Sequence, residues 1–186
     1  MHGGAPVEDR AEQALIAKAK AGDPDAYERL LEPALRPATR LAFAMLLDRS
    51  EAEDAFQESA LRAWRRLENI REGSPFQPWF LGIVANQCRD TRRGRWWSVV
   101  RLADPGTTTQ PVDEAAWFDG EDLRRAVMSL PHDQRVAILM HFHLDMPLSD
   151  VAVALDISLA GVKTRINRAL KRLRPAMAVS EARING

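Results

Sequence analysis

The chain has 186 residues, 28% of them charged, and its 26 basic and 26 acidic side chains leave no net charge. That length suits one ordinary domain or two small ones, and its many helix-forming residues predict an all-α fold. There is no run of about 18 apolar residues and no basic-then-apolar N-terminal signal, so we expect a cytoplasmic protein without membrane insertion. The single Cys88 excludes an internal disulfide and a cysteine-rich zinc site, and the sequence predicts no cofactor.

The charges are distributed unevenly along the chain. Residues 98–122 contain one basic and six acidic side chains, whereas residues 123–186 contain ten basic and five acidic ones. Arg89 to Arg101 holds five Arg against one Asp, and Leu159 to Arg174 holds six Lys or Arg with no acid. Two basic patches separated by an acidic segment indicate two nucleic-acid contact surfaces.

The first two helices have clear boundary signals. We predict a helix over about Glu8 to Ala21, then a second one capped by Asp23 with Pro24 in its first turn. The second segment has apolar residues at helical spacing. We expect Pro33 and Pro37 to kink or split it.

The third predicted helix lies in SEAEDAFQESALRAWRRLENI and has two distinct faces. Ser50 and Glu53 form a predicted capping box at its start. Helical spacing places on one side Ala52, Phe56, Ser59, Ala60, Ala63, Trp64 and Leu67. The opposite side is polar and charged, with Asp54, Gln57, Glu58, Arg62 and Arg65.

Residues 73–97, GSPFQPWFLGIVANQCRDTRRGRWW, combine aromatic and cationic side chains. We predict a capping box between Ser74 and Gln77 and a helix that continues through TRR. Rings beside arginines suit unpaired DNA, because a base can stack on a ring while Arg holds phosphates. The alternative, favoured for Trp79 and Ile83, is that the apolar residues at helical spacing belong to the core.

A linker is predicted at 98–120, followed by helices in EDLRRAVMSL and LPHDQRVAILMHFHL. The segment LSDVAVALDISLAGVKTRINRAL then fits a helix-turn-helix, with Asp156 in the turn and Ser158 capping the second helix. A helix of this width fits the DNA major groove. The exposed side of this helix is predicted to present Lys163, Thr164, Asn167, Arg168 and Lys171. An ordinary helical hairpin with a solvated basic face is the alternative.

Three stretches together resemble the sigma-70 family of transcription initiation factors, in its extracytoplasmic function (ECF) group. SEAEDAFQESALRAWRRL is similar to the family's D-A-E-D-x-x-Q-E-x-F-x-x-A-W element, and SPFQPWFLGIVANQCRDTRR to F-R-x-W-L-x-x-I-A-x-N followed by a basic run. The 45 residues from Leu130 to Arg174 resemble L-P-x-x-x-R-x-V-x-x-L followed by L-S-x-x-E-I-A-x-x-L-G-I-S-x-G-T-V-K-S-R. The resemblance implies a sigma2-like domain at 1–97, a linker at 98–120 and a sigma4-like domain at 121–186.

The resemblance also implies roles for individual residues. Docking on the β′ clamp helices of core RNA polymerase is implied for Asp54, Gln57, Glu58, Arg62 and Arg65. Contact with the minus-ten promoter element, including capture of a flipped base, is implied for Asn69, Arg71, Ser74, Phe76, Gln77, Asn86, Arg89, Arg92 and Arg93. Recognition of the minus-thirty-five element is implied for Ser158, Lys163, Thr164, Arg165, Asn167, Arg168 and Lys171.

The implied function is promoter recognition and promoter melting by a subunit that is not itself an enzyme. Its implied partners are core RNA polymerase, through the β′ clamp helices and the β flap, and promoter DNA, both double- and single-stranded; an anti-sigma factor is left open. No catalytic or metal-binding constellation is found, since His141 and His143 point about 200° apart on a helix. Two alternatives remain: a stand-alone helix-turn-helix regulator, and a sigma mimic that sequesters an anti-sigma factor.

Overall fold

The computed structural model describes residues 7–101 and 121–184, and the backbone in these ranges is helical with no strand. The all-α prediction is confirmed. The helices are α1 (Val7–Lys20), α2 (Pro24–Leu46), α3 (Arg49–Arg65), α4 (Phe76–Arg101), α5 (Glu121–Ser129), α6 (His132–Ile138), α7 (Leu148–Leu155) and α8 (Leu159–Ile184). None of these helices is both long and apolar enough to cross a membrane.

The predicted caps are partly confirmed. Asp23 caps α2 as expected, since its Oδ1 accepts hydrogen bonds from the N–H groups of Asp25 and Ala26. The capping box at Ser50 is wrong. Because Leu47 ends α2 in a left-handed conformation, the chain turns two residues earlier, and Asp48 accepts the hydrogen bond from the Glu51 N–H at 2.9 Å.

The second helix is one continuous element with both internal prolines inside it. Of the two expected effects of Pro33 and Pro37, a kink or a split, the split is therefore wrong. A proline removes a helix hydrogen bond, but most helical stability in proteins comes from burial of an apolar face. Ala34, Ala38 and Leu41 on that face are completely buried, which offsets the missing bonds.

The first half of the chain has a core built from α2, α3 and α4, with α1 packed on α2. Phe76 and Phe80 of α4 stack with ring centroids 5.8 Å apart and are almost fully buried. The Tyr27 hydroxyl donates to the Ala60 carbonyl at 2.6 Å, joining α2 to α3. Trp79 is partly buried against this core, which confirms its expected packing role.

The second half contains the predicted helix-turn-helix. Val151 of α7 and Val162 and Ile166 of α8 are buried and form its core. Asp156 ends α7 with φ of 49°, the left-handed conformation that aspartate tolerates better than most residues. Ser158 caps α8 as predicted, because its Oγ accepts from the Gly161 N–H at 3.1 Å.

Two elements depart from their expected lengths. Helix α4 continues to Arg101 and so includes the first four residues assigned to the linker; the rest of that segment, 102–120, lies outside the described residues. The side chains of Trp96 and Trp97 also lie outside the described part of the chain. Beyond Ile138, α6 continues as one π-helical stretch, Leu139–His143, that holds both His141 and His143.

The two halves contact each other directly. Helix α7 packs along α4 more extensively than along α8, its partner in the helix-turn-helix. The Arg40 guanidinium of α2 donates to the His143 carbonyl at 2.7 Å, and Arg71 pairs with Asp156 at 2.7 Å. The helix-turn-helix unit therefore lies against the first half of the chain.

Candidate polymerase and promoter interfaces

The polar face of α3 is presented to solvent much as the sequence predicts. Asp54, Gln57, Glu58 and Arg65 are exposed. Arg62 is only partly exposed, because its guanidinium lies 3.3 Å from the Asp90 carboxylate of α4. Four of the five residues are therefore available to a protein partner in this conformation, and the fifth also joins α3 to α4.

Sequence reasoning missed Leu61, which lies within this polar face. Its side chain is 53% exposed although it occupies the middle of α3. It follows Gln57 by one helical turn and precedes Arg65 by one turn, so the three lie in one row. An exposed apolar side chain ringed by polar groups is the usual composition of a protein-binding patch. The sequence signal that could have identified Leu61 is its position one helical turn after Gln57.

The loop before α4 is held in place by α1, which the sequence did not suggest. The Gln13 side chain donates to the Ser74 carbonyl at 3.1 Å and accepts from the Gly73 N–H at 3.3 Å. The Phe76 N–H donates to the Glu12 carboxylate at 3.3 Å. The predicted capping box of Ser74 is therefore corrected: α4 begins at Phe76, and a carboxylate from another helix takes the capping role.

The residues assigned to base capture in and around this loop divide into two groups. Asn69 and Arg71 are exposed, and Ser74 and Gln77 are partly exposed. Phe76 is only 1% exposed and packs between Tyr27 and Phe80. Its assignment to DNA contact is corrected, since a ring in the core cannot stack on a base in this conformation.

The residues on the basic face of α4 also differ in their exposure and contacts. Asn86, Arg89 and Arg93 are exposed, which suits contact with a DNA backbone. Arg92 instead donates to the Met45 carbonyl at 3.4 Å, at the end of α2 where carbonyl groups lack helical partners. Its guanidinium thus has a structural contact in addition to its expected role.

Helix α8 presents a continuous basic surface. The side chains of Lys163, Thr164, Asn167, Arg168 and Lys171 are exposed, as predicted. Arg165 is more buried and lies 3.6 Å from the Asp133 carboxylate of α6. That contact joins α8 to α6. The exposed side chains of α8 remain accessible to a DNA groove.

The pKa values of Cys88, His132 and His143 are shifted mainly by burial. Burial raises the pKa of the Cys88 thiol to about 12, so the sulfur behaves as a small apolar core group. Burial and the neighbouring Arg89 lower the pKa of His132 to about 4. Burial and Arg40 lower the pKa of His143 to about 4. Within residues 7–101 and 121–184, no three acidic, His or Cys side chains cluster as a metal site.

Comparison with known families identifies two matching regions in the expected order. The family described as Sigma-70 region 2 matches residues 30–98, and the family described as Sigma-70, region 4 matches residues 120–173. The first match contains the polar face of α3 and the basic face of α4. The second contains the helix-turn-helix.

Curated relatives align over most of this chain. The ECF RNA polymerase sigma factor SigM of Mycobacterium tuberculosis is 31% identical over 168 residues, covering 89% of this chain and 84% of SigM. The probable RNA polymerase sigma factor RfaY of Xanthomonas campestris is 30% identical, covering 86% of this chain. This chain spans 42% of the length of RfaY.

Solved structures share the fold. CnrH, solved in complex with the cytosolic domain of CnrY, aligns with a TM-score of 0.65 at 22% identity, covering 91% of this chain and 98% of CnrH. The sigma factor RpoE of Bartonella quintana, solved with the anti-sigma factor NepR, aligns with a TM-score of 0.63 at 23% identity, covering 82% of this chain and 97% of RpoE.

Proposed function

This chain belongs to the sigma-70 family of RNA polymerase sigma factors, in its ECF group, and on that premise we propose that it directs core RNA polymerase to promoters with two recognition elements. The observation behind this proposal is the order of its surfaces. An exposed polar helix face, a basic face on the next long helix and a basic helix-turn-helix occur in that order along one chain. A stand-alone helix-turn-helix regulator would need only the last of them.

Core polymerase is proposed to bind α3. Asp54, Gln57 and Glu58 offer carboxylate and amide groups that pair with an arginine-rich helix, such as the family's β′ clamp helices. Leu61 supplies an apolar centre to the same patch. Charged rims of this kind mainly set orientation and association rate, whereas the apolar centre contributes affinity.

The minus-ten element is proposed to lie on α4 and the loop before it. The unpaired DNA strand is contacted by Asn86, Arg89 and Arg93 of α4. The binding site for an extruded base is lined by Asn69 and Gln77. Unstacking one base costs a few kcal/mol, and a few phosphate and base contacts supply a comparable amount. Opening of the duplex then follows from preferential binding of the unpaired strand, without any catalytic group on this chain.

The minus-thirty-five element is proposed to bind α8 in its major groove. Lys163 and Arg168 recognise base edges, because Lys and Arg side chains match the acceptor pattern of guanine. Lys171 contacts phosphates further along the helix, and Ser158 positions the helix start. The β flap of polymerase is the proposed protein contact of this second half.

The polymerase performs the chemistry, so the chain acts as a specificity subunit in the cytoplasm, where transcription takes place. An anti-sigma factor is a further partner to seek by co-purification, since RpoE of Bartonella quintana was solved bound to one.

Reconstitution with core polymerase tests this proposal. Run-off products and mapped start sites on fragmented genomic DNA should reveal initiation at discrete promoters only when the full chain is added. A double variant, Asp54→Ala with Gln57→Ala, should abolish initiation by preventing association. Glu53→Ala, which removes an exposed carboxylate already paired with Arg49 on the same helix, is the matched control and should remain active. Absence of any discrete start site with wild-type chain would refute the proposal.

A further inference from the structure

A cavity of about 420 Å³ is lined by residues of α2, of the start of α3 and of the π-helical stretch Leu139–His143. Small-molecule sites in proteins commonly have volumes of about 300–1,000 Å³, so this cavity is large enough for a ligand. None of its lining residues belongs to the sets proposed above for polymerase or promoter DNA. Its chemistry therefore needs a separate explanation.

The cavity lining carries a net positive charge. It includes three arginines, Arg36, Arg40 and Arg49, and one carboxylate, Glu53, which already pairs with Arg49 at 3.1 Å. Burial and Arg40 lower the pKa of His143 to about 4, so its imidazole is neutral near pH 7. Arginine stays protonated at any ordinary pH, and three cations against one anion leave a net charge of +2.

Two of these arginines lack an acidic partner. Arg36 and Arg40 are four residues apart on α2, so their side chains are neighbours on one helical face and repel each other. Within residues 7–101 and 121–184, neither forms an ion pair with a carboxylate. Two like charges beside a cavity are electrostatically unfavourable until an anion binds between them.

The guanidinium of Arg40 is held in position by the second half of the chain. One of its terminal nitrogens donates to the His143 carbonyl at 2.7 Å, at the end of the π-helical stretch, where carbonyl groups lack helical partners. Because a guanidinium has five N–H groups, others remain for a ligand. An arginine that is already oriented loses less conformational freedom when a ligand binds.

Helix α3 adds positive potential from another wall of the cavity. Its first turn, beginning at Arg49, contributes Arg49 and Ala52 to the lining. The N-terminal end of a helix carries a partial positive charge, which attracts anions and repels cations. Arg49 therefore adds a cation where acidic side chains are normally favoured. The helix dipole and the arginine side chains attract an anion in the same direction.

We propose that this cavity binds a small molecule that carries a diphosphate or longer polyphosphate group. Guanidinium groups bind phosphate oxygens through two parallel N–H···O bonds, and linked phosphates provide acceptors for more than one arginine. Each phosphate is negatively charged near pH 7, so such a group neutralises the lining. Phe43 and Ala52 line the same cavity and offer an apolar surface to an attached organic group.

Titration of the full-length chain with inorganic pyrophosphate and with ADP tests this proposal. Calorimetry at physiological ionic strength measures affinity, and NMR of the histidine rings reports where the anion binds. Both probes should bind saturably and more tightly than inorganic phosphate, and they should shift the ring resonances of His143 but not those of His132. Tighter binding of ADP than of pyrophosphate supports a nucleotide ligand, whereas equal or tighter binding of pyrophosphate supports a free polyphosphate.

The main variant is Arg36→Gln with Arg40→Gln, and its matched control is Arg29→Gln with Arg66→Gln. The control removes the same charge from two exposed arginines that do not line the cavity. We expect the main variant to weaken pyrophosphate binding by about tenfold or more, and the control by about twofold at most because salt screens distant charges. Arg36→Gln alone, which should weaken binding several-fold, decides the matter if loss of the Arg40 contact with His143 unfolds the chain.

Three results would overturn the proposal: no saturable binding of either probe at millimolar concentration, equal weakening by the two double variants, or shifts at His132 instead of His143. Affinity for a labelled short single-stranded DNA is measured in parallel. If Arg36→Gln lowered DNA affinity and left pyrophosphate affinity unchanged, the arginines would belong to a nucleic-acid surface and the proposal would also be wrong. These measurements need no polymerase, so their outcome is independent of the proposed function.

Discussion

The guanidinium of Arg62 lies 3.3 Å from the carboxylate of Asp90, joining the helix proposed to bind polymerase to the helix proposed to bind the minus-ten strand. Both side chains are about 40% exposed, and ion pairs with this exposure contribute about 1 kcal/mol or less to stability. Arg62 therefore has two separable roles: it pairs with Asp90, and it belongs to the polar face of α3.

Substitution of each partner separates these roles. Arg62→Ala should weaken binding to core polymerase, because it removes a cation from the docking face, while Asp90→Ala should leave that affinity unchanged. Each should lower the free energy of unfolding by no more than about 1 kcal/mol. Titration of labelled chain with core polymerase and urea unfolding measure the two effects. Equal losses of polymerase affinity in both variants would mean that Arg62 acts only through its ion pair.

Leu61→Gln tests the apolar centre of the docking patch. Because the side chain is 53% exposed, the change should alter stability little, but it should weaken polymerase binding by about tenfold or more if Leu61 occupies the middle of the interface. Leu35→Gln is the matched control, since Leu35 is 47% exposed on a different helix, α2. The docking assignment would be wrong if the two variants bound polymerase equally well.

Arg168→Ala tests recognition of the minus-thirty-five element. Loss of one side chain that contacts a base should cost about 1–3 kcal/mol in discrimination, or about 10- to 100-fold in preference for the correct element. Association with core polymerase should be unaffected, because Arg168 is exposed on α8, away from α3. Arg29→Ala removes the same charge from an exposed position on α2 and controls for general electrostatic attraction. Competition between promoter fragments with and without the element measures the preference.

Stability should depend on pH through two histidines. Their pKa values are near 4 in the folded chain and near 6.5 when unfolded, so the unfolded state binds up to two more protons between those values. The free energy of unfolding is thus fully retained above about pH 6.5 and falls as pH drops towards 4. The charged groups around them are Arg89, Arg92, Asp90 and Asp133 for His132, and Arg40 and Asp145 for His143.

Urea unfolding at a series of pH values tests this dependence. His132→Asn and His143→Asn should each remove about one proton from the difference in proton binding between folded and unfolded chains. Because nearby carboxylates titrate in the lower part of this range, the comparison with wild type between pH 5 and 6.5 is the informative one. An unchanged slope in both variants would contradict the assigned protonation.

The sequence by itself determined the helical class, the order of the surfaces and most of their exposed residues. Local rules are sufficient for these features. Helical spacing separates Asp54 and Gln57 from the apolar side of α3, and Asp23 and Ser158 are caps by residue type. The acid-free segment from Leu159 to Arg174 presents Lys163 and Arg168 to solvent. Family resemblance then supplied the partners of those surfaces.

The tertiary structure decided what depends on contacts between distant residues. Burial of Phe76 follows from its packing against Tyr27 of α2, capping of α4 by Glu12 requires α1 to lie beside it, and Arg92 reaches the end of α2 only once the core has formed. Glycine at position 82 of α4 is unfavourable for a helix when the sequence is considered alone. The tertiary structure explains it, because a Cβ there would collide with the Ala154 carbonyl of α7. No periodicity along one segment encodes such contacts, because each is fixed by the packing of two helices that are far apart in the chain.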